Sequence, residues 1–509
     1  MSWHEGYVTE IQYTHGFYRE LTPALLRFVQ LIRSVRSPSS SGRTSYCELG
    51  CGQGFSMNLL AAANPDIDFH ANDFNPGQIA GARHLAFESG LTNVHFHESS
   101  FADFANAPNL PESFDIIALH GIYSWISEKN RKHIIDFVRD RLRPGGLVYV
   151  SYNTLPGWAA AMPLRRLMVE RGRQIPGTIV DKIDGAIDFI GKMQAANGNY
   201  FAQTPTFAAR LDKLKTAPRS YLAHEYMNAD WAPEYFSDVA AHFGDAKVDY
   251  LGSAHLHDNL DALNLSAEMV EVLAAEKDPM ARESLRDFMI NQEFRRDVYT
   301  KGIIPLPLLN ARQAWAETRF VLSTPRDLIP LKVVSKRGEI SLKEEIYAPI
   351  LDFLANGPKT GAQMLAQPAI AALGWDNLQQ ALLVQIGMNN VQPCLPADKD
   401  KHRSRSTRSF NAAVMKRAEL TSDLSFLASP VTGGGVTVER FHQLFISAIH
   451  QGRSDAPEWI WSLLEASGQR LLKDQKAMQT REEHLDDLRD RQKIFNEQRL
   501  PLYRQLGIV

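Results

Sequence analysis

The sequence predicts an α/β protein with a mostly parallel sheet and helices on both of its faces. Two observations carry that expectation. Between residues 45 and 152, short apolar runs alternate with helical stretches, the pattern of strand–helix–strand units. The first run ends in the glycine-rich string Tyr46-Cys-Glu-Leu-Gly-Cys-Gly-Gln-Gly-Phe55, and an acid, Asp73, closes the second.

Taken in order, residues 17–35 read as a helix, because Leu21, Leu25, Phe28, Val29 and Ile32 fall near helical spacing. Ser37-Pro-Ser-Ser-Ser-Gly42 is a flexible connector. The strands expected next are Tyr46–Leu49, Ile67–Ala71, Val94–Phe96, Phe114–Leu119 and Leu147–Tyr152. Residues 160–300 read as mainly helical, broken at Pro176-Gly177, Asn197-Gly198 and Pro205, with Lys247–Gly252 as a lone strand signal. Three short helices, Lys343–Leu354, Gly361–Leu365 and Asn377–Met388, precede an extended piece, Val391–Leu395, an order that suggests a small helix-turn-helix or winged-helix unit. Residues 398–417 are polar and basic and are expected to form a mobile loop. Helices follow to the end. Leu464, Leu471, Met478 and Leu485 lie seven apart, but their partner positions are polar, so a surface helix docked by one stripe is expected, not a coiled coil.

Composition bounds the function. A chain of 509 residues has room for about three domains. With 44% hydrophobic and 22% charged residues it can bury a sizeable core. A net charge of -3 argues against bulk nucleic-acid binding. No apolar run reaches the ~18 residues of a membrane span. No signal peptide is expected at the start, and 3 cysteines fit a reducing compartment, so the cytoplasm is the expected location.

The glycine string carries the chemistry. Glycines permit positive φ and close approach of the backbone to a ligand, and the helix expected over Ser56–Ala63 points its N-terminus at that ligand. The spacing is Gly-x-Gly-x-Gly, with Phe55 where a dinucleotide fold has its third glycine. Glu48 just before the loop suits an ammonium better than a pyrophosphate. Asp73, nineteen positions after Gly54, is placed to accept hydrogen bonds from ribose hydroxyls. Cys47 and Cys51 lack the further ligands a zinc site needs and read as small fillers; His255 and His257 are a short pair without partners. No metal site is expected.

These residues resemble class I S-adenosylmethionine-dependent methyltransferases. Glu48-Leu-Gly-Cys-Gly-Gln-Gly54 is similar to their first motif, Asp73-Phe-Asn-Pro76 to their ribose-binding strand end, and Leu142-Arg-Pro-Gly-Gly-Leu-Val148 to their turn into the fifth strand. A narrower resemblance rests on His120-Gly-Ile-Tyr-Ser-Trp-Ile126, Ser151-Tyr-Asn-Thr-Leu-Pro-Gly-Trp158, Tyr221-Leu-Ala-His-Glu-Tyr226, Phe294-Arg-Arg-Asp297 and Ala428-Ser-Pro430. Together they resemble bacterial methyltransferases with a methyltransferase regulatory domain, a group that includes rickettsial-type protein-lysine methyltransferases. The resemblance implies a Rossmann-like core over 41–160, an N-terminal helical lid over 1–40, a mainly helical regulatory domain over 161–305 and a winged-helix-like and helical domain over 306–509.

It also implies residue roles. The backbone of Glu48, Leu49, Gly50, Cys51, Gly52 and Gly54 cradles the methionine part of S-adenosyl-L-methionine, with Glu48 toward its ammonium. Asp73 takes the ribose and Phe74 flanks the adenine. Ser100 stands where the family often has an Asp, leaving the adenine to Ser100 and Phe101. His120 is a cofactor contact at the end of the fourth strand, and Tyr13 or His15 touches the cofactor from the lid. Tyr123, Trp125 and Asn153 line an aromatic substrate channel together with Tyr152 and Trp158. The function implied is methyl transfer to a protein side chain, lysine first. A small-molecule methyltransferase and a cofactor-binding scaffold without catalysis are the alternatives. DNA binding by the winged-helix-like unit is disfavoured, because Asn377–Met388 has no lysine or arginine. The oligomeric state stays open, a dimer being one option.

Overall fold

The computed structural model describes residues 7–8, 10, 15–37, 43–204, 207–473 and 476–509. Seven strands form one sheet: β1 (Thr44–Leu49), β2 (Ile67–Asp73), β3 (Val94–Glu98), β4 (Phe114–Leu119), β5 (Leu142–Asn153), β6 (Asp249–Ser253) and β7 (Phe294–Thr300). Their order is β3-β2-β1-β4-β5-β7-β6. The first five run parallel; β7 is antiparallel to β5, and β6 to β7. The order reverses at β1, which opens a crevice beyond the carboxyl ends of β1 and β4, where open α/β sheets bind their ligands.

Helices α1 (Pro23–Ile32), α2 (Phe55–Ala63), α3 (Pro76–Glu88), α4 (Phe101–Phe104) and α5 (Glu128–Arg141) cover the sheet. Side chains alternate between its faces. Tyr46, Phe69, Ile116 and Tyr149 join a core with Leu26, Leu60 and Ile79 of α1, α2 and α3. Cys47, Leu49, Ile117 and Val148 join a second core with Ile134 and Val138 of α5. Burial on both faces explains why these strands read as continuous apolar runs. The expected helix over 17–35 is shorter, since Pro23 starts α1 after a tight turn over Arg19–Leu21.

Residues 160–300 are helical only in part. Helices α6 (Met162–Gly172) and α7 (Ile179–Ala195) pack with Phe207–Thr216 and Arg219–Tyr226 around Leu164, Ile183, Ile187 and Leu211. β6 and β7 then return to the sheet. β7 escaped the sequence reading because its string, Phe-Arg-Arg-Asp-Val-Tyr-Thr, buries charge in place of an apolar face. Arg295, buried, pairs with Asp297 at 3.0 Å, Asp287 at 2.6 Å and Glu283 at 2.8 Å, and the Tyr152 hydroxyl donates to Asp297 at 2.7 Å. The acids compensate the guanidinium, as a buried cation requires.

Two further expectations are revised. Residues 398–417 are not a mobile loop: Asp400–Ala418 is one helix. Arg403, Thr407, Phe410, Asn411, Val414, Met415 and Ala418 form its buried face, with Phe410 6.0 Å from Phe55 of α2. Of the basic residues that suggested a loop, Lys401, Arg405, Arg408, Lys416 and Arg417 occupy its outer face, while Arg403 is buried and donates to the Pro430 carbonyl at 2.7 Å. Leu464, Leu471, Met478 and Leu485 do not share a helix. Leu464 belongs to Ala456–Ala466 and Leu485 to Arg481–Ile494, with Leu471 and Met478 between them. All four are buried, so the seven-residue spacing marks one core contact repeated by two helices and their link. Nearby, strands Arg319–Leu322, Lys359–Thr360 and Val391–Cys394 form a small sheet beside helices Glu344–Leu354, Gly361–Leu365 and Trp375–Gly387. No helix among the described residues is long and apolar enough to cross a membrane.

Candidate active site

A cavity of about 590 Å³ opens at the crevice. Its floor is the turn between β1 and α2. Gly50, Gly52 and Gly54 all have positive φ, at 74°, 54° and 63°. At Gly54 a Cβ would stand 2.5 Å from the Ala82 Cβ and 2.7 Å from the Phe96 ring, so glycine lets the turn pack on α3 and β3. At Gly52 the nearest atom to a Cβ is 4.0 Å away, and the freed space belongs to the cavity. The turn is tied to β2 by the amides of Gly50 and Cys51, which both donate to the Asn72 carbonyl at 2.9 Å.

Two buried acids face this floor. Glu48 at the end of β1 has one carboxylate oxygen, Oε2, without a partner. Burial, with Asp73 nearby, pushes its pKa up to about 8. Asp73 accepts from the Gly52 amide and the Asn75 amide, each at 2.9 Å, while burial still raises it to about 6. The Phe74 amide also bonds this carboxylate, and the Gln78 side-chain amide lies 3.0 Å from its Oδ1, so a ribose hydroxyl would share Asp73 with these donors or displace the Gln78 amide. An orphaned carboxyl oxygen beside a glycine cradle and a second buried acid lining the same cavity fit S-adenosylmethionine: Glu48 would hold the ammonium, the glycine turn the methionine chain and Asp73 the ribose.

The pKa directions carry a prediction. Both acids titrate above their ordinary values of 4.5 and 3.8, so between about pH 4 and 8 the ligand-free folded state holds more protons than the unfolded chain. Their stabilising share is complete below the ordinary values and is lost as pH rises through the raised ones. Each contributes a loss of up to about 1.4 kcal/mol per pH unit. Glu48→Gln is expected to flatten this decline, and a cationic ligand to stabilise the wild type more at pH 8 than at pH 5. Unfolding midpoints across this range, for both proteins, check it; parallel curves would contradict it.

The remaining expected cofactor residues divide. Gly50, Cys51, Gly52, Gly54, Phe74, Ser100, Phe101 and His120 line the cavity with Glu48 and Asp73. Leu49 turns into the core of the α5 face, leaving only its backbone toward the turn. Ser100 already caps α4: its hydroxyl donates to Asp103 at 2.7 Å and accepts from the Asp103 amide at 3.2 Å. His120 stacks on Tyr18 with centroids 3.7 Å apart, and its Nδ1 is 2.8 Å from the Tyr149 hydroxyl. Burial drops its pKa to about 3, so the ring is neutral at physiological pH. Tyr13 lies outside the described residues. His15 faces Arg417 at 3.3 Å and Asp423 at 3.7 Å and is not part of the lining; Tyr7 and Tyr18 supply the N-terminal contacts instead.

Of the expected channel residues, Trp125, Asn153 and Trp158 line the cavity. Asn153 Nδ2 is buried without a partner. Tyr123 and Tyr152 do not reach the lining. Tyr123 is 1% exposed, packs on Phe243 at 5.6 Å and meets His242 Nδ1 at 3.2 Å. The short turn Tyr123–Trp125 sends alternate aromatics to opposite sides, Trp125 outward to the cavity and Tyr123 inward to the core. Trp125, Trp231 and Trp158 form an aromatic ladder with centroid spacings of 6.1 and 5.3 Å.

The sequence reading missed four further acids of the cavity. Glu20, Glu225, Asp230 and Glu293 line it, against a single arginine, Arg296, among the described lining residues. Burial raises Glu225 to about 7. The string Tyr221–Tyr226 was visible as unusual, but nothing in it signalled that Glu225 lines the same cavity as a glycine turn some 170 residues earlier.

Fold and family models together define the class. The model described as "Methyltransferase domain" matches residues 40–181, and "Predicted methyltransferase regulatory domain" matches residues 218–301. The fold is similar to that of the complex of Rickettsia typhi PKMT2 with AdoHcy, at a TM-score of 0.71 and 20% identity, covering 97% of this chain and 99% of that one. The protein is an S-adenosylmethionine-dependent methyltransferase of the class I fold with a regulatory region. More particularly, it belongs to the same family as the Synechocystis protein sll1526, with 42% identity over 508 residues and full coverage of both chains. It is also similar to RP789 of Rickettsia prowazekii, at 26% identity over 289 residues, 56% of this chain and 51% of that protein.

Proposed function

We propose that the protein methylates lysine side chains of protein substrates. The observation that carries this reading is the acidity of the cavity, which Glu20, Glu225, Asp230 and Glu293 line together with Trp125 and Trp158, against one lining arginine, Arg296, 3.6 Å from Glu20. Such a lining recruits a cation and gives its aliphatic stem apolar cover. S-adenosylmethionine, when bound, supplies a sulfonium methyl group that the amine nitrogen takes up as the sulfur–carbon bond breaks.

The chain's own residues then have two tasks. One is position: Trp125 and Trp158 bound the amine's path, and the free Asn153 amide and neutral His120 face its end. In-line displacement in a dry site gains most from such placement. The other is proton removal. A lysine amine near 10.4 must be neutral to react. A nearby sulfonium charge and loss of water both lower that value, and Glu225, held near 7, lines the same cavity and can receive the proton. Similarity to PKMT2 and the notable length of chain beyond the core also support a protein substrate over a small molecule.

Incubating the enzyme with methyl-labelled S-adenosylmethionine and a bacterial lysate tests the reading. Label should enter the protein fraction and be released as methyllysine on hydrolysis. Label confined to the small-molecule fraction would instead establish a small-molecule methyltransferase.

A further inference from the structure

On the sheet face that carries α4, away from the cavity, the edge strand β3 and its neighbour β2 bring four polar side chains together. Asp68 and His70 share one face of β2, two residues apart, and His95 sits beside His70 in the register of β2 with β3. His97 follows two residues on and packs against Phe104 of α4 with centroids 5.2 Å apart. None of the four lines the cofactor cavity.

The two carboxylate oxygens of Asp68 serve different imidazoles. His70 Nε2 is 3.2 Å from Oδ2, and His95 Nε2 is 3.2 Å from Oδ1. One ligand atom from each of the three residues lies within 4.8 Å of the others, and among the described residues no other group of three meets that condition. We propose that Asp68, His70 and His95 form a binding site for a divalent transition metal, zinc in first place, with His97 behind it as the group that orients His70.

The donor chemistry supports zinc. Two neutral imidazoles and one carboxylate are a recurrent three-ligand zinc set that leaves a fourth position open. Ligand bonds of about 2.0–2.1 Å at tetrahedral angles put neighbouring donors about 3.3–3.4 Å apart, close to the two 3.2 Å separations. The second ring nitrogen of a metal-bound histidine normally meets a polar partner; here His70 Nδ1 faces His97 Nε2 at 3.5 Å. Access is provided by the edge position, with the His95 side chain 46% and the Asp68 side chain 28% exposed, while His70 is 4% exposed and anchors the group.

A metal here would act on structure and not on methyl transfer. It would clip the edge strand β3 to β2 a few residues upstream of Asp73 and Ser99–Ser100, which line the cavity. The competing explanation is a carboxylate that merely hydrogen-bonds two imidazoles, and the two make different predictions.

The test uses the full chain, free of any affinity tag and stripped with a chelator, titrated with Co²⁺ and then challenged with Zn²⁺. The expected result is one Co²⁺ per chain with the visible absorption of tetrahedral nitrogen–oxygen coordination, displaced by zinc, and an unfolding midpoint that rises on zinc addition. Asp68→Asn and His95→Ala, at accessible positions, should each weaken binding at least tenfold while leaving the circular dichroism unchanged. His97→Phe should weaken it about tenfold. Absence of stoichiometric binding, or binding that survives both Asp68→Asn and His95→Ala, would overturn the proposal.

Discussion

Glu48→Gln is expected to weaken S-adenosylmethionine binding about a hundredfold while the protein stays folded. Glu48 ends β1 with 4% exposure, faces the cavity and keeps Oε2 unpartnered. Such an acid is costly in the ligand-free protein, which is why its pKa stands near 8. A bound ammonium would supply the missing partner and restore the anion. Glutamine keeps the shape but removes the charge, and loss of one member of a buried charged pair costs about 2–5 kcal/mol, against 1.4 kcal/mol for each factor of ten. Titration calorimetry at pH 8 measures the change. An affinity within threefold of wild type would reduce Glu48 to a buried acid of the strand end.

Glu225→Gln should separate chemistry from cofactor binding. Removing a proton acceptor commonly lowers kcat about 10²–10⁴-fold, and a loss of about a hundredfold is expected. Cofactor affinity should stay within threefold, because the substitution leaves the glycine turn, Glu48 and Asp73 unchanged. The pH profile gives the sharper readout. An acceptor works only when deprotonated, so the wild-type rate should rise with pH through about 7. The variant should lose that rise. A full loss of activity with the rise intact would assign Glu225 a packing role and leave the proton to water.

The legible part of this protein is the part whose physics is local. A glycine turn needs glycines at fixed offsets, and a strand buried on both faces needs consecutive apolar residues. Gly50, Gly52, Gly54 and Asp73, and strands β1 to β5, were therefore readable. β7 was not, because Arg295 and Asp297 are buried there by partners at Asp287 and Glu283 that no local pattern announces. The helix Asp400–Ala418 hid behind its basic outer face, although Phe410, Val414 and Ala418 kept helical spacing beneath it. Tyr123 and Trp125 show the limit at a site: two neighbouring aromatics in one turn diverge, and only packing against Phe243 decides which is core. The acids Glu225 and Glu293 reach the cavity through tertiary folding alone, so the substrate side was the least legible.

The central claim is that this methyltransferase places its methyl group on lysine. Reaction of lysate proteins with trideuteromethyl-labelled S-adenosylmethionine, followed by peptide mass spectrometry, tests it at the level of the acceptor atom. The account predicts trideuteromethyl groups on lysine Nζ, formed about a hundredfold more slowly when Glu225→Gln replaces the wild type. Labelled methyl groups on another residue type, or no labelled peptide while small molecules acquire the label, would contradict it.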